Sequence, residues 1–171
     1  MTLRQANLLG FSGCVALLGY AIYAEKFMNL LPCPLCVFQR VGIAIVGFGF
    51  LVAALHNPRG RSASLAYAIT IPLVALLPAG VAARHVYIQS LPPGSVPACG
   101  ATLDYMLDVF PPLTVVRKVL AGGGECAKID WSLLGLSMPA WVLIASLALA
   151  VLGIWANSRP RRMFATRVAN A

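Results

Sequence analysis

The chain has 171 residues, 60% of them hydrophobic and 11% charged, whereas a water-soluble domain carries roughly a quarter charged residues. A soluble globule is excluded, and the length admits one domain of four apolar spans of about 20 residues each, with no large domain outside the bilayer. Thirteen Lys and Arg against five Asp and Glu give a net charge of +8, which has a meaning only once it is placed along the chain.

Four stretches contain no Asp, Glu, Lys or Arg: residues 5–24, 41–57, 62–83 and 131–158. They predict an all-α membrane protein, an up-down four-helix transmembrane bundle formed by residues 1–171 as a single integral membrane domain. Its spans fall at about 7–24, 36–55, 64–84 and 138–157, with loops at about 25–35 and 85–137. The first span also admits a cleaved signal peptide, because Arg4 precedes the apolar run and Ala24 is small. The length of the run and the lack of an A-x-A site favour a retained helix. Cys14 within it reads as a small buried hydrophobe.

The first loop leads into Pro32-Cys33-Pro34-Leu35-Cys36-Val37-Phe38-Gln39-Arg40, a C-x-x-C motif at the start of the second span. Val37 after Cys36 excludes haem attachment, which wants C-x-x-C-H. A disulfide across so short a ring restricts the unfolded chain little, so a redox role fits it better than a structural one. Amides at a helix N-terminus favour an anion and the thiolate is the attacking form of cysteine, which makes Cys36 the better candidate for the reactive sulfur. Arg40 lies four residues on, so on a helix the two side chains share a face and the cation favours the thiolate further. Its plainer reading is an interfacial anchor.

Pro72 and Pro78 in the third span can bend it and leave room between helices. In the long loop, Pro92, Pro93, Gly94 and Pro97 predict an extended, accessible approach to Cys99. Leu103, Met106, Leu107 and Phe110 follow helical spacing, as in a helix lying on a membrane surface. Gly122-Gly123-Gly124 before Cys126 permits backbone excursions. Ser137-Met138-Pro139 reads as a helix start, and Trp131 and Trp141 fit an aromatic belt.

Arg4, Arg59, Arg61, Arg159, Arg161, Arg162 and Arg167 fall on one side, +7 with no acidic residue, against a balance of +1 on the other. The basic side is cytoplasmic, so both termini are cytoplasmic and the two remaining loops face out. Of the five cysteines, Cys33, Cys36, Cys99 and Cys126 lie in or beside those outer loops, in an oxidising compartment if the membrane is a bacterial inner membrane. A dithiol that becomes a disulfide releases two electrons. The chain offers no haem, nucleotide or iron-sulfur motif to take them, which leaves a lipid-soluble quinone held by Arg40 as the acceptor. A cysteine-rich metal-handling or structural membrane protein without redox turnover is the alternative, although the 27-residue separation of Cys99 and Cys126 is unlike paired zinc knuckles.

The C-P-L-C-V-F-Q-R run, Arg84-His85-Val86-Tyr87 with Gln89, the pair Cys99 and Cys126, and Gly135-Leu136-Ser137-Met138-Pro139 with Trp141 together resemble the DsbB family of disulfide bond formation proteins over nearly the whole chain. The resemblance implies a thiol:quinone oxidoreductase that reoxidises a periplasmic, thioredoxin-fold DsbA-like partner and uses ubiquinone or menaquinone as electron acceptor. It implies that Cys99 and Cys126 form the disulfide that meets the partner, Cys99 forming the mixed disulfide. Cys126 then exchanges with Cys33, leaving Cys36 to reduce the quinone. It also implies cofactor-binding positions at Arg40, His85 and Met138, where the plainer readings are an interfacial histidine and a packing methionine. No resident metal is implied.

Overall fold

The structure, a computed structural model, describes residues 1–92, 94, 95 and 103–158. Cys99, the prolines at 93 and 97 before it, and the basic tail from Arg159 onward lie outside the described residues.

Helix α1 (Leu3–Phe27) starts with a capping box, in which Thr2 Oγ1 accepts from the Gln5 amide at 3.2 Å and Gln5 Oε1 from the Thr2 amide at 2.8 Å. This satisfies two of the amide groups left free at a helix start. Helix α2 (Pro34–His56) has Cys33 as its N-cap and Pro34 at its first position, where a missing N–H costs nothing. It stops at Asn57, which is left-handed at φ 42°. Helix α3 (Arg61–Gln89) runs through Pro72 and Pro78. After the loop elements, α7 (Met138–Ser158) closes the bundle. These four helices are each long and apolar enough to cross a membrane. Helix α1 packs on α2, α2 on α3 and α3 on α7, whereas α7 meets α1 over a smaller area.

Lipid is as apolar as leucine, so helices in a membrane associate through close packing and polar contacts rather than through water exclusion. The core therefore sits where small residues admit large ones. A Cβ added to Gly42 would stand 2.8 Å from the Pro78 ring, one on Gly10 2.6 Å from Phe50, and one on Gly153 2.7 Å from Ile71. Cys14 is 1% exposed among Val46, Phe50 and Leu149 and fills space there, as its position in the span predicts.

The end of the bundle that carries Cys33 is capped by the long loop. Helix α4 (Leu103–Val109) uses the anticipated apolar stripe, but Leu103, Met106 and Phe110 pack on the bundle, and of the four only Leu107 is left largely exposed. The stripe thus serves the cap before any membrane surface. Helix α5 (Pro112–Ala121) is not among the elements expected from the sequence; Pro112 occupies its first helical turn. Its Val115 and Val119 bury against Leu35, Ile88 and Cys126. A short α6 (Gly124–Ala127) holds Cys126, and a ribbon β1 (Ser132–Leu133) with β2 (Leu136–Ser137) turns the chain into α7.

Two expectations change. The third span does not end near residue 84: α3 continues to Gln89, so His85 is a buried helical residue and not a loop residue. Arg84 sustains this extension by donating to the Leu120 and Ala121 carbonyls at 3.0 and 3.3 Å, which joins the last turns of α3 and α5. The role of the glycine run widens: Gly122 has φ 84°, and a Cβ there would meet Ile88 Cδ1 at 2.4 Å, so this position needs glycine for its turn and close approach.

Candidate functional site

The N-terminus of α2 places the C-x-x-C motif. As N-cap, Cys33 accepts from the Cys36 amide at 3.4 Å, and its sulfur lies 3.1 Å from the Cys36 sulfur. The Cys33 S–H is thus directed at Cys36, a hydrogen bond that a thiolate on Cys36 accepts most strongly. Cys33 is buried and Cys36 half-buried.

His85 enters from α3. Its Nε2 lies 3.8 Å from Cys33 Sγ and 3.1 Å from the Cys126 carbonyl oxygen, while its Nδ1 lies 3.1 Å from Gln39 Nε2. Cys126 belongs to the same buried cluster as Cys33. The neighbouring Cys33 sulfur and burial push the Cys126 thiol well above the ordinary cysteine range. The structure therefore brings Cys33, Cys36, His85 and Cys126 together. The nucleophilic and ligating atoms of Cys33, Cys36 and His85 all lie within 4.8 Å of one another, a set that suits a soft cation.

Beside them is a partly open cavity of about 160 Å³ between α1, α2, α3 and α7, lined by Leu17, Leu18, Cys36, Arg40, His85, Met138 and Trp141 among others. A dry cavity of roughly 150 Å³ is enough for a benzene-sized ring. Arg40 lines it, but two of its N–H groups are engaged on α1, donating to Glu25 Oε2 and to the Ala21 carbonyl. A guanidinium has five N–H donors, so the pairing positions it against α1 without exhausting it. Met138, the first residue of α7, lines the same cavity. Ser137 on β2 donates to Gln89 Oε1 at 2.7 Å, and Trp141 to the Leu133 carbonyl at 3.2 Å. These bonds hold the start of α7 to the end of α3 and to the ribbon.

Gln39 and Glu25 are absent from the sequence reading of the site. For Gln39 a signal existed: it is a polar residue inside an apolar helix, three positions after Cys36 and so on the same face. Glu25 offered none, because its partner lies across a loop whose course the sequence does not give.

An apolar helical bundle that gathers three cysteines and a histidine beside a ring-sized cavity defines a class, the membrane thiol-disulfide oxidoreductases. The family model "Disulfide bond formation protein DsbB" matches residues 3–156. Disulfide bond formation protein B of Chromohalobacter salexigens is 46% identical over 164 residues, covering 95% of each chain. The proteins of that name from Nitrosococcus oceani and Xanthomonas campestris pv. campestris are 44% and 42% identical over 93% and 94% of this chain, and over 94% and 95% of their own. The chain belongs to the DsbB family of disulfide bond formation proteins.

Proposed function

We propose that the protein reoxidises a periplasmic DsbA-like dithiol partner and passes the electrons through its two cysteine pairs to a membrane quinone. It sits in the bacterial inner membrane as one integral domain with both termini cytoplasmic, the orientation given by the basic residues of the short loops. The observation that carries the reading is the convergence of Cys126 and His85 on Cys33, beside the apolar cavity that Cys36 and Arg40 line.

The relay balances as thiol-disulfide exchange. The partner's thiolate attacks Cys99 of the Cys99–Cys126 disulfide, and its second thiol resolves that mixed disulfide, leaving the partner oxidised and Cys99 and Cys126 as thiols. Cys126 then attacks Cys33 of the Cys33–Cys36 disulfide. A Cys33–Cys126 bond forms, the Cys33–Cys36 bond breaks, and Cys36 leaves as a thiolate. Cys99 displaces Cys33 and restores the loop disulfide. The Cys33 and Cys36 dithiol gives two electrons and two protons to the quinone, which becomes quinol as the Cys33–Cys36 bond reforms. A guanidinium N–H of Arg40 donates to a quinone carbonyl and stabilises the charge that develops there. Met138 and His85 bound the same space.

Purified protein supplied with a reduced DsbA-like protein and a quinone analogue tests this. Quinol forms in proportion to oxidised partner; Cys36→Ser abolishes quinol formation, and Cys99→Ser abolishes partner turnover. Normal turnover by Cys99→Ser overturns the division of labour. The metal-handling alternative draws on the Cys33, Cys36 and His85 cluster, and stoichiometric metal released on oxidation, with no quinol formed, favours it instead.

A further inference from the structure

We infer that Gln39 is a positioning residue that sets the tautomer of His85, and that His85 in this tautomer holds the Cys126 backbone over Cys33. The argument rests on hydrogen-bond roles. A backbone carbonyl only accepts, so His85 Nε2, 3.1 Å from the Cys126 oxygen, carries the ring proton. In the neutral ring Nδ1 is then an acceptor, and the group 3.1 Å from it is the Gln39 side chain, whose amide NH₂ supplies the donor. Both side chains are buried, Gln39 at 4% and His85 at 2% exposed, so neither ring nitrogen has bulk water as a substitute partner. Without the Gln39 donor, the tautomer with the proton on Nδ1 becomes accessible. Nε2 then presents a lone pair to the Cys126 carbonyl, and an attraction becomes a repulsion. Helices α2 and α3 thus fix the ring from one side so that it grips the loop from the other.

For its consequence in catalysis the inference rests on the relay proposed above, since the grip matters where Cys126 attacks Cys33. For its chemistry it stands alone. It also bears on cation binding at the cluster, because Nε2 is a ligand only if the ring gives up the Cys126 carbonyl.

The test uses the full chain in lipid and two substitutions, one that removes the donor and one that reverses it. Gln39→Leu fills similar space without a donor. Gln39→Glu puts a carboxylate there, an acceptor when ionised, which holds the ring proton on Nδ1 and leaves Nε2 bare. Ring ¹⁵N spectra are read with His56, the other of the two histidines, replaced by Asn. The expected result, read where the ring carries a single proton, is one His85 tautomer protonated at Nε2 in the parent chain, a mixture in Gln39→Leu, and the Nδ1-protonated tautomer in Gln39→Glu. In a Cys99→Ser background, where Cys126 still attacks the Cys33–Cys36 disulfide and expels Cys36 but no Cys99 remains to displace Cys33, formation of the Cys33–Cys126 bond slows roughly tenfold in Gln39→Leu, the loss of about one buried hydrogen bond. Gln39→Glu slows it at least as much. A His85 protonated at Nδ1 in the parent chain, or either variant forming the bond at the parental rate, overturns the inference. If no Cys33–Cys126 bond forms in any chain the relay fails, and the spectra still decide the tautomer.

Discussion

The Arg40 guanidinium ties α2 to α1 through its bonds to Glu25 and to the Ala21 carbonyl. It also lines the cavity, where the quinone proposed above would meet what remains of its donor capacity. Arg40→Ala is expected to raise the KM for a soluble quinone analogue by roughly ten- to a hundredfold, the loss of one hydrogen bond to a charged group, while exchange among the cysteines without quinone proceeds. A KM within twofold of wild type removes Arg40 from the quinone site. Cys126 makes a second prediction at this scale. Its thiol is pushed up by the Cys33 sulfur and by burial, so the docked loop keeps a proton that the undocked loop releases above about pH 8.5. The sign follows: docking of the reduced loop is at full strength below that pH and weakens as pH rises beyond it. Alkylation of Cys126, followed by mass spectrometry on reduced protein, should lag a free thiol near pH 8 and gain on it as pH rises. Equal rates at both values contradict the docked position.

Among the elements, α5 and α6 decide where Cys126 lies. Val115 and Val119 anchor α5 on Leu35 and Ile88, each burial worth about 1.5–3 kcal/mol, and Arg84 caps the C-terminal end of α5. Gly122 then turns the chain tightly enough against Ile88 for α6 to bring Cys126 beside His85. Gly122→Ala forces an alanine into a backbone conformation, φ 84° and ψ 155°, that is essentially reserved for glycine, at a cost of roughly 1–3 kcal/mol. It also drives a Cβ into Ile88, a side chain with no exposed surface to yield into. The expected outcome is slower Cys33–Cys126 bond formation with an unchanged melting temperature of the four-helix bundle. A lowered bundle melting temperature with unimpaired bond formation would show that the turn serves the fold instead. The sequence carried the apolar stripe of α4 and the Cys126 position, but not α5, whose buried face is only Val115 and Val119, too short a stripe to stand out beside a proline that opens a turn as readily as a helix.

Across the whole molecule, the end opposite the cysteines is closed by polar bonds. Asn7 on α1 and Asn157 on α7 exchange two amide hydrogen bonds of 3.1 and 3.0 Å, and Ser64 on α3 donates to the Asn157 carbonyl at 2.6 Å. All three residues are buried. Helices α1 and α7 share the thinnest packing of the ring, so this clasp is what closes the bundle there. Asn7→Leu should destabilise the protein in detergent by about 1–2 kcal/mol, within the range measured for hydrogen bonds between membrane helices, because it leaves Asn157 Oδ1 without its donor while Asn157 Nδ2 keeps only the Gly153 carbonyl. The double change Asn7→Leu with Asn157→Leu should recover part of that loss. Additive losses in the denaturation midpoints would mean that the two amides do not depend on each other.

Composition and order along the chain determined the bundle. Four uncharged runs, the second completed by starting before Arg40, favour four spanning helices, since a backbone in lipid must satisfy its own hydrogen bonds. The C-x-x-C at a helix start, with Arg40 one turn on, was legible for the same reason: helical periodicity makes residues four apart into neighbours. Contacts between residues distant in sequence were not legible. The 46 positions from Gln39 to His85, the 41 from His85 to Cys126 and the 15 from Glu25 to Arg40 are bridged only once the helices pack in register and the loop folds back on them. Steric fit between small and large residues sets that register, as at Gly42 against Pro78 and Gly122 against Ile88, and complementarity of this kind leaves no periodic mark on a sequence. The cysteine pattern was thus visible in the chain itself, while the contacts by which His85 meets both Cys33 and the Cys126 backbone were decided by the tertiary structure.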